Sequence, residues 1–163
     1  MNEELLQSLG PPPFRFIPTQ AGLSGPAFTL PFKALATVIV AAGSAWLASL
    51  WRAGALGSGS STGLVWLLTA LALMLYTWWH IMRSRTRLDA GALHQTWVWD
   101  KQLELRELAY GKLIRVRGLD WLIAPRLYAR TLMGKFAVFY AADPVLLADF
   151  ERLVREVAEF RKM

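Results

Sequence analysis

Two long stretches without a charged residue stand out in the pattern of apolar and polar positions along the chain. The first is ALATVIVAAGSAWLASLW at residues 34–51, and the second is LVWLLTALALMLYTWWHIM at residues 64–82. An α-helix rises about 1.5 Å per residue, so about 20 apolar residues cross the ~30 Å hydrocarbon core of a bilayer. The pattern predicts two membrane-spanning helices, and the glycine- and serine-rich connector between them predicts a hairpin.

Beyond residue 83 the apolar residues change from a helical period to the period of 2 that is typical of strands. The alternation runs through RTRLDAGALHQTWVWDKQLELREL, then KLIRVRGLDWLI, then RLYARTLMGKFAVFYAA. Turn residues at 89–91 and 100–101 separate the strands, and Gly118 and Gly134 are further turn or bulge positions. The pattern predicts short antiparallel strands.

The last segment returns to a helical pattern. Asp143 is a good N-cap and Pro144 suits the first helical position. Apolar residues then follow at helical spacing, at Leu146, Phe150, Leu153, Val157 and Phe160. The expected architecture is a membrane α-helical hairpin plus an α+β domain, in which a small antiparallel barrel or bent sheet is capped by the C-terminal helix. The predicted units are an N-terminal tail at 1–33, the hairpin at 34–82 and the domain at 83–163. The apolar residues of the tail could lie in the membrane interface or pack on the domain; they are Phe14, Phe16, Ile17, Phe28 and Phe32.

The distribution of basic residues predicts the orientation of the hairpin. All but three of the 18 Lys and Arg lie from Arg83 onward, and the connector carries only Arg52. Because Lys and Arg are enriched in loops that stay in the cytoplasm, both termini and the C-terminal domain are expected there. The expected location is the inner membrane of a bacterium.

The composition narrows the possible chemistry. The chain has no cysteine, which excludes disulfides, thiolate nucleophiles and iron–sulfur clusters. A net charge of +6 would suggest nucleic-acid binding in a soluble protein. In a chain with two predicted membrane spans, the positive charge instead indicates attraction to anionic lipid headgroups. No nucleic-acid partner is therefore expected.

Catalysis has little support in the sequence. The two histidines are His80, at the end of the second span, and His94, on the polar side of a predicted strand. No Ser–His–Asp arrangement or phosphate-binding glycine loop is evident, so no catalytic residue, metal site or cofactor is predicted. An enzyme would require His94 to converge with Asp89, Asp100 or Glu104 in a cleft.

One group of basic residues is the main candidate for binding. The group is Lys112, Arg115, Arg117, Arg126, Arg130 and Lys135. Aromatic residues interleave with them, and a face of this kind could bind anionic headgroups or a partner, with about 1 kcal/mol for each charge near the membrane. The alternative is that these positive charges are spread around the domain and form no single face, since strand residues alternate between two faces.

A stripe of small residues recurs at every fourth position of the first span, at Thr37, Ala41, Ala45 and Ser49. Small residues let a second helix approach closely. The stripe predicts packing against the second span, and the alternatives are self-association or docking on a helix of another protein.

The second half of the chain resembles bacterial membrane proteins with a pleckstrin-homology-like (PH-like) domain. The resemblance rests on GAL at 91–93, LRELAYGKLIRV at 105–116 and DPVLL at 143–147, which follow two spans in this order. It implies a binding module without catalytic activity. The predicted function is a membrane-anchored module that binds a protein partner; the alternatives are recognition of anionic lipids, or a role as an accessory subunit of a larger complex.

Overall fold

The computed structural model describes residues 14–54 and 61–162. The predicted tail up to residue 13 and connector residues 55–60 lie outside the described residues. Two helices, α1 (Leu30–Arg52) and α2 (Ser61–Arg83), pack side by side as a hairpin. Each has 23 residues, which corresponds to about 34 Å, and both are long and apolar enough to span a membrane. The predicted hairpin is confirmed.

Both helices are longer than the predicted spans, because polar residues at the base of the hairpin are also part of the helices. The Thr29 side chain caps α1 by accepting a hydrogen bond from the Phe32 amide (3.3 Å), five residues before the charge-free run. Lys33 lies in the first turn of α1, and its Nζ donates to the Met82 carbonyl at 3.2 Å. This places a cation at the negative end of α2, which ties the two helices together at their base.

The remaining elements form an α+β domain with seven strands in two antiparallel sheets. The first sheet has the order β1-β2-β3-β4, with bounds Leu23–Pro26, Arg85–Leu88, Ala92–Thr96 and Lys101–Glu104. The second has the order β5-β6-β7, with bounds Leu108–Ile114, Arg126–Thr131 and Phe136–Tyr140. A 3₁₀ turn at Leu105–Glu107 joins the sheets, and helix α3 (Pro144–Phe160) follows the last strand. The predicted antiparallel strands are confirmed.

Strand β1 corrects the predicted domain boundaries. The sequence placed residues 1–33 in a separate tail, but β1 pairs with β2 from Leu23 opposite Leu88 to Pro26 opposite Arg85. The hairpin is therefore inserted between two neighbouring strands of one sheet. The LSGP sequence of β1 has little strand propensity of its own, so its pairing depends on tertiary contacts. At Gly25 a Cβ atom would lie 2.5 Å from that of Asp143, so the α3 cap approaches too closely for a side chain.

Helix α3 fills the space between the sheets as its pattern predicted. Asp143 accepts hydrogen bonds from the Val145 and Leu146 amides, at 2.9 and 3.1 Å. The predicted apolar side of the helix is buried at Leu146, Phe150, Leu153 and Val157, and Phe160 packs at its edge. Inward residues of both sheets complete this core, among them Leu88, Leu127 and Phe139.

The segment before α1 is anchored to α3. Phe16 is buried in the core, and the Phe14 ring lies 5.5 Å from that of Phe160. The buried carboxylate of Asp149 accepts hydrogen bonds from the Thr19 amide (2.9 Å) and hydroxyl (2.5 Å). Arg152 donates to the Ile17 carbonyl. Residues 14–19 therefore belong to the domain.

The predicted alternation through KLIRVRGLDWLI is only partly correct. Strand β5 ends at Ile114, and residues 115–125 form turns, with Gly118 at φ +83°. The Leu122 and Ile123 amides both donate to the Leu119 carbonyl, at 2.9 and 2.7 Å. The Thr29 hydroxyl donates to the Leu122 carbonyl at 2.6 Å, which holds this loop against the base of α1.

Candidate functional site at the junction of hairpin and domain

An apolar groove runs between α1 and α2 on one side of the hairpin. It has a volume of about 380 Å³, and Phe32, Ala36 and Val40 of α1 face Met74, Trp78 and Ile81 of α2 across it. We call it the helix groove. Its lining side chains carry no charge, so its surface matches the hydrocarbon that would surround a membrane-spanning hairpin.

A second cavity continues from the base of the hairpin into the domain. This junction pocket has a volume of about 340 Å³ and is lined by Phe28, Phe32, Ile81, Trp97, Ile123, Ala124, Arg126 and Tyr140. Phe32 and Ile81 line both cavities, which places the helix groove and the junction pocket end to end. The two volumes fall in the range of small-molecule sites, about 300–1,000 Å³.

An aromatic cluster forms the wall of the junction pocket. The Phe28 ring lies 5.3 Å from that of Phe32, 5.4 Å from that of Tyr140 and 6.2 Å from that of Trp97. These residues come from the β1–α1 connection, α1, β7 and the turn after β3. The pocket is thus assembled from distant parts of the chain, and the Thr86 hydroxyl bridges the two sheets beside it by donating to the Tyr140 carbonyl at 2.5 Å.

Among the described residues that line the junction pocket, Arg126 is the one that carries a charge. It begins β6 directly opposite Tyr140, and its guanidinium carbon lies 6.0 Å from the Tyr140 ring centroid. Its Nε is buried and has no hydrogen-bond partner, and the same is true of the Trp97 Nε1. A buried donor without an acceptor costs about 1–3 kcal/mol, so an acceptor placed beside these two wall residues would remove an energetic penalty.

Lys101 adds positive charge next to this pocket. Its Nζ donates to the Val138 carbonyl at 3.3 Å and lies 5.4 Å from the centroid of the Trp97 ring. Desolvation by burial lowers the pKa of Lys101 from its ordinary value of 10.5. This ammonium group links the open edges of the two sheets, β4 and β7.

The six predicted basic residues do not form one face. Lys112, Arg126 and Arg130 share the outer surface of the second sheet, as the pairing of β5 and β6 requires. Arg115 is drawn to α3 by an ion pair with Glu151. Arg117 is exposed in the loop after β5, and Lys135 is exposed in the turn between β6 and β7. Sequence alternation alone could not show these different directions.

The small-residue stripe does not form the contact between α1 and α2. Ala41, Ala45 and Ser49 are exposed, and only Thr37 reaches α2, by accepting a hydrogen bond from Trp78 Nε1 at 2.9 Å. The less exposed side of α1 contains Val40, Gly43, Ser44 and Leu47. A Cβ atom on Gly43 would lie 3.5 Å from the Met74 methyl group, so the close approach occurs there.

An exposed apolar patch, which the sequence analysis missed, lies at the far end of the second sheet from the hairpin. Leu132 is 60% exposed, Met133 82% and Phe136 71%, around the turn between β6 and β7. The guanidinium of Arg130 lies 5.3 Å from the Phe136 ring, and Lys135 is next to it in the chain. The sequence feature that indicates this patch is TLMGKF, in which large apolar residues occupy a turn. Polar residues are usual at such positions. We call Leu132, Met133 and Phe136 the distal patch.

The histidines lie apart from these cavities. The His80 ring packs against Tyr76 at 4.5 Å, and His94 stands opposite Arg87 and Gln102 in the first sheet. Within residues 14–54 and 61–162, no three histidine or acidic side chains come together as a metal site. No family model, no curated protein and no solved structure matches this chain.

Proposed function

We propose that this protein is a membrane-anchored, non-catalytic interaction module that binds a partner protein through the distal patch. The single observation that carries this proposal is the exposure of Leu132, Met133 and Phe136 at the end of the domain that lies away from the hairpin. Clustered large apolar side chains on a protein surface typically mark an interaction site. Arg130 and Lys135 at its edge favour a partner whose apolar surface is bordered by acidic residues.

We further propose that the domain has a PH-like fold and faces the cytoplasm. The fold proposal rests on the sequence resemblance and on the order of four strands, three strands and a closing helix. The orientation rests on Arg83, Arg85 and Arg87 directly after α2. Arg83 stacks on Trp79, with 4.1 Å from its guanidinium carbon to the ring centroid, an arrangement suited to the interface of a membrane. In a bacterium this membrane is the inner one.

The alternatives have weaker geometric support. Headgroup recognition by all six basic residues is disfavoured because Arg115 is paired with Glu151 and Lys135 lies far from the hairpin base. A role as an accessory subunit is favoured by the exposed residues Ala41, Ala45 and Ser49, which leave one side of α1 open to another helix. That role is compatible with a partner at the distal patch.

Photo-crosslinking in cells tests the proposed partner site. A photoreactive amino acid at Met133 is compared with one at Ala158, an exposed position on α3. We expect one protein to crosslink at position 133 but not at 158, and the purified form of that protein to bind the full-length chain in detergent. Phe136→Asp should weaken this binding at least about tenfold, because a loss of 1.4 kcal/mol corresponds to that factor and a central aromatic anchor contributes more.

The proposal fails under either of two results. One is the same set of crosslinked proteins at both positions, which would indicate collisions in the cell. The other is unchanged affinity of the purified pair after Phe136→Asp, with Ala158→Asp as the matched control for the added charge.

A further inference from the structure

We infer that the junction of hairpin and domain is a binding site for one anionic phospholipid, with an acyl chain in the helix groove and the phosphate at Arg126 and Trp97. This site is separate from the distal patch, at the opposite end of β6. A lipid bound there would hold the domain in a fixed position relative to the hairpin. This role is additional to the binding of a protein partner.

The shape of the two cavities fits a molecule with one apolar and one charged end. The helix groove has an uncharged, mainly apolar lining and lies between two helices that are long enough to span a membrane. The junction pocket continues from it at Phe32 and Ile81 and ends at Arg126. A phospholipid in the same leaflet has its phosphate at the level of the headgroups and its chains in the hydrocarbon, which is the order in which the two cavities follow each other.

The charges of the junction pocket select an anion. Among the described residues that line the two cavities, Arg126 carries the one charge, and none is acidic. A guanidinium presents parallel N–H donors that match the oxygens of a phosphate, and such charge-assisted hydrogen bonds are about twice as strong as neutral ones. Trp97 Nε1 is a second buried donor without a partner, and Lys101 contributes a neighbouring positive charge.

Among the described residues, four arginines of the domain are paired with carboxylates, whereas Arg126 is not. Arg87, Arg106, Arg115 and Arg152 each form an ion pair with a carboxylate, at Asp89, Glu104, Glu151 and Asp149 respectively. In the part of the chain that the structure describes, no ion pair involves Arg126. Its partly buried charge is left for a ligand, and in a chain with two spans the abundant anionic ligand is a phospholipid.

Lipid retention by the full-length protein tests the site. The protein is purified in mild detergent, mixed with equal amounts of dioleoyl phosphatidylglycerol and dioleoyl phosphatidylcholine, and examined by native mass spectrometry. We expect one phosphatidylglycerol to be retained in preference to phosphatidylcholine. Arg126→Gln should reduce this retention at least about tenfold, because it removes a charge-assisted contact. Arg155→Gln, the same change at an exposed arginine of α3, should leave it unchanged.

A second pair of variants tests the position of the acyl chain. Ala36→Phe places a ring in the helix groove, whereas Ala48→Phe places one on an exposed side of the same helix. We expect only the first to displace phosphatidylglycerol. Because this pair does not alter Arg126, it also serves as the test if Arg126→Gln impairs folding, which circular dichroism and size-exclusion chromatography would reveal.

Three results would overturn the inference. Equal retention of the two lipids would show that Arg126 selects no anion. Equal retention by Arg126→Gln and Arg155→Gln would place any anion elsewhere. Loss of phosphatidylglycerol in Arg126→Gln but full retention in Ala36→Phe would show that Arg126 binds a headgroup or free phosphate without a chain in the groove. None of these results bears on crosslinking at Met133, so the two proposals fail independently.

Discussion

Helices α1 and α3 show how differently the two parts of this molecule are stabilised. Helix α1 has 23 residues and none of them is buried, although most are apolar. Helix α3 has 17 residues and buries five, four of them apolar, against the two sheets. A helix that is apolar on all sides requires an apolar solvent, whereas a helix with one apolar side folds against a protein core in water. The hairpin therefore suits an apolar surrounding such as a membrane, and the domain depends on its own packing.

The largest expected effect comes from matched leucine truncations in the two regions. Leu153 of α3 is fully buried, and Leu68 of α2 is 49% exposed on the hairpin. Leu153→Ala should lower the free energy of unfolding by about 2–5 kcal/mol, because it removes buried methyl groups and leaves a cavity. Leu68→Ala should have a much smaller effect, since lipid chains are as apolar as leucine. Urea unfolding in detergent micelles, followed by near-UV circular dichroism, measures both. Similar losses in the two variants would contradict the comparison.

A smaller effect is expected where the N-terminal segment joins the domain. Asp149 is 2% exposed and accepts both hydrogen bonds from Thr19. Asp149→Ala should cost about 1–3 kcal/mol, because it leaves the Thr19 amide without its acceptor. Amide hydrogen exchange should accelerate at residues 14–19 and remain slow in β6.

The control for this change is Glu159→Ala, at an exposed position on the same helix. It should change neither stability nor exchange. If exchange at residues 14–19 is equally fast in the wild type and in Asp149→Ala, the segment is not held by α3, and the predicted separate tail would be the better description.

The smallest expected effect is a pH dependence at Lys101. Burial lowers the pKa of this group in the folded state from the ordinary 10.5. Between the folded pKa and 10.5 the unfolded chain binds more protons, so the stability contributed by Lys101 rises with pH in that range. Below the folded pKa the group is charged in both states, and its burial remains unfavourable.

Lys101→Met removes the titrating group and keeps an apolar chain of similar length. We expect the free energy of unfolding of the wild type, measured relative to this variant, to increase as the pH is raised toward 10.5. Urea unfolding at a series of alkaline pH values makes the measurement. A relative stability that falls over that range would show that the ammonium group is stabilised, not penalised, in the folded domain.

The sequence predicted the helices and strands whose patterns depend only on neighbouring residues. Two charge-free runs of sufficient length specify helices that could span a membrane. Asp143, Pro144 and the spacing from Leu146 to Phe160 specify α3, because a cap and an apolar side depend only on neighbouring residues. The alternation after residue 83 specified strands, and it failed after Ile114, where Gly118 and the contact of Leu122 with Thr29 turn the chain.

Only the tertiary structure decided the parts that depend on residues far apart in the chain. Strand β1 exists because residues 23–26 find β2 on the other side of the hairpin, about 60 positions later, and LSGP alone gives no sign of it. In the sequence, Arg126 is one of six equivalent basic residues. In the fold, Arg115 is paired with Glu151, whereas Arg126 lies in a pocket of aromatic rings. The sequence by itself determined which two segments are long and apolar enough to span a membrane, since that depends on composition over a short window. Which charge lacks a partner was decided by packing, since an unpaired donor is defined by every group that surrounds it.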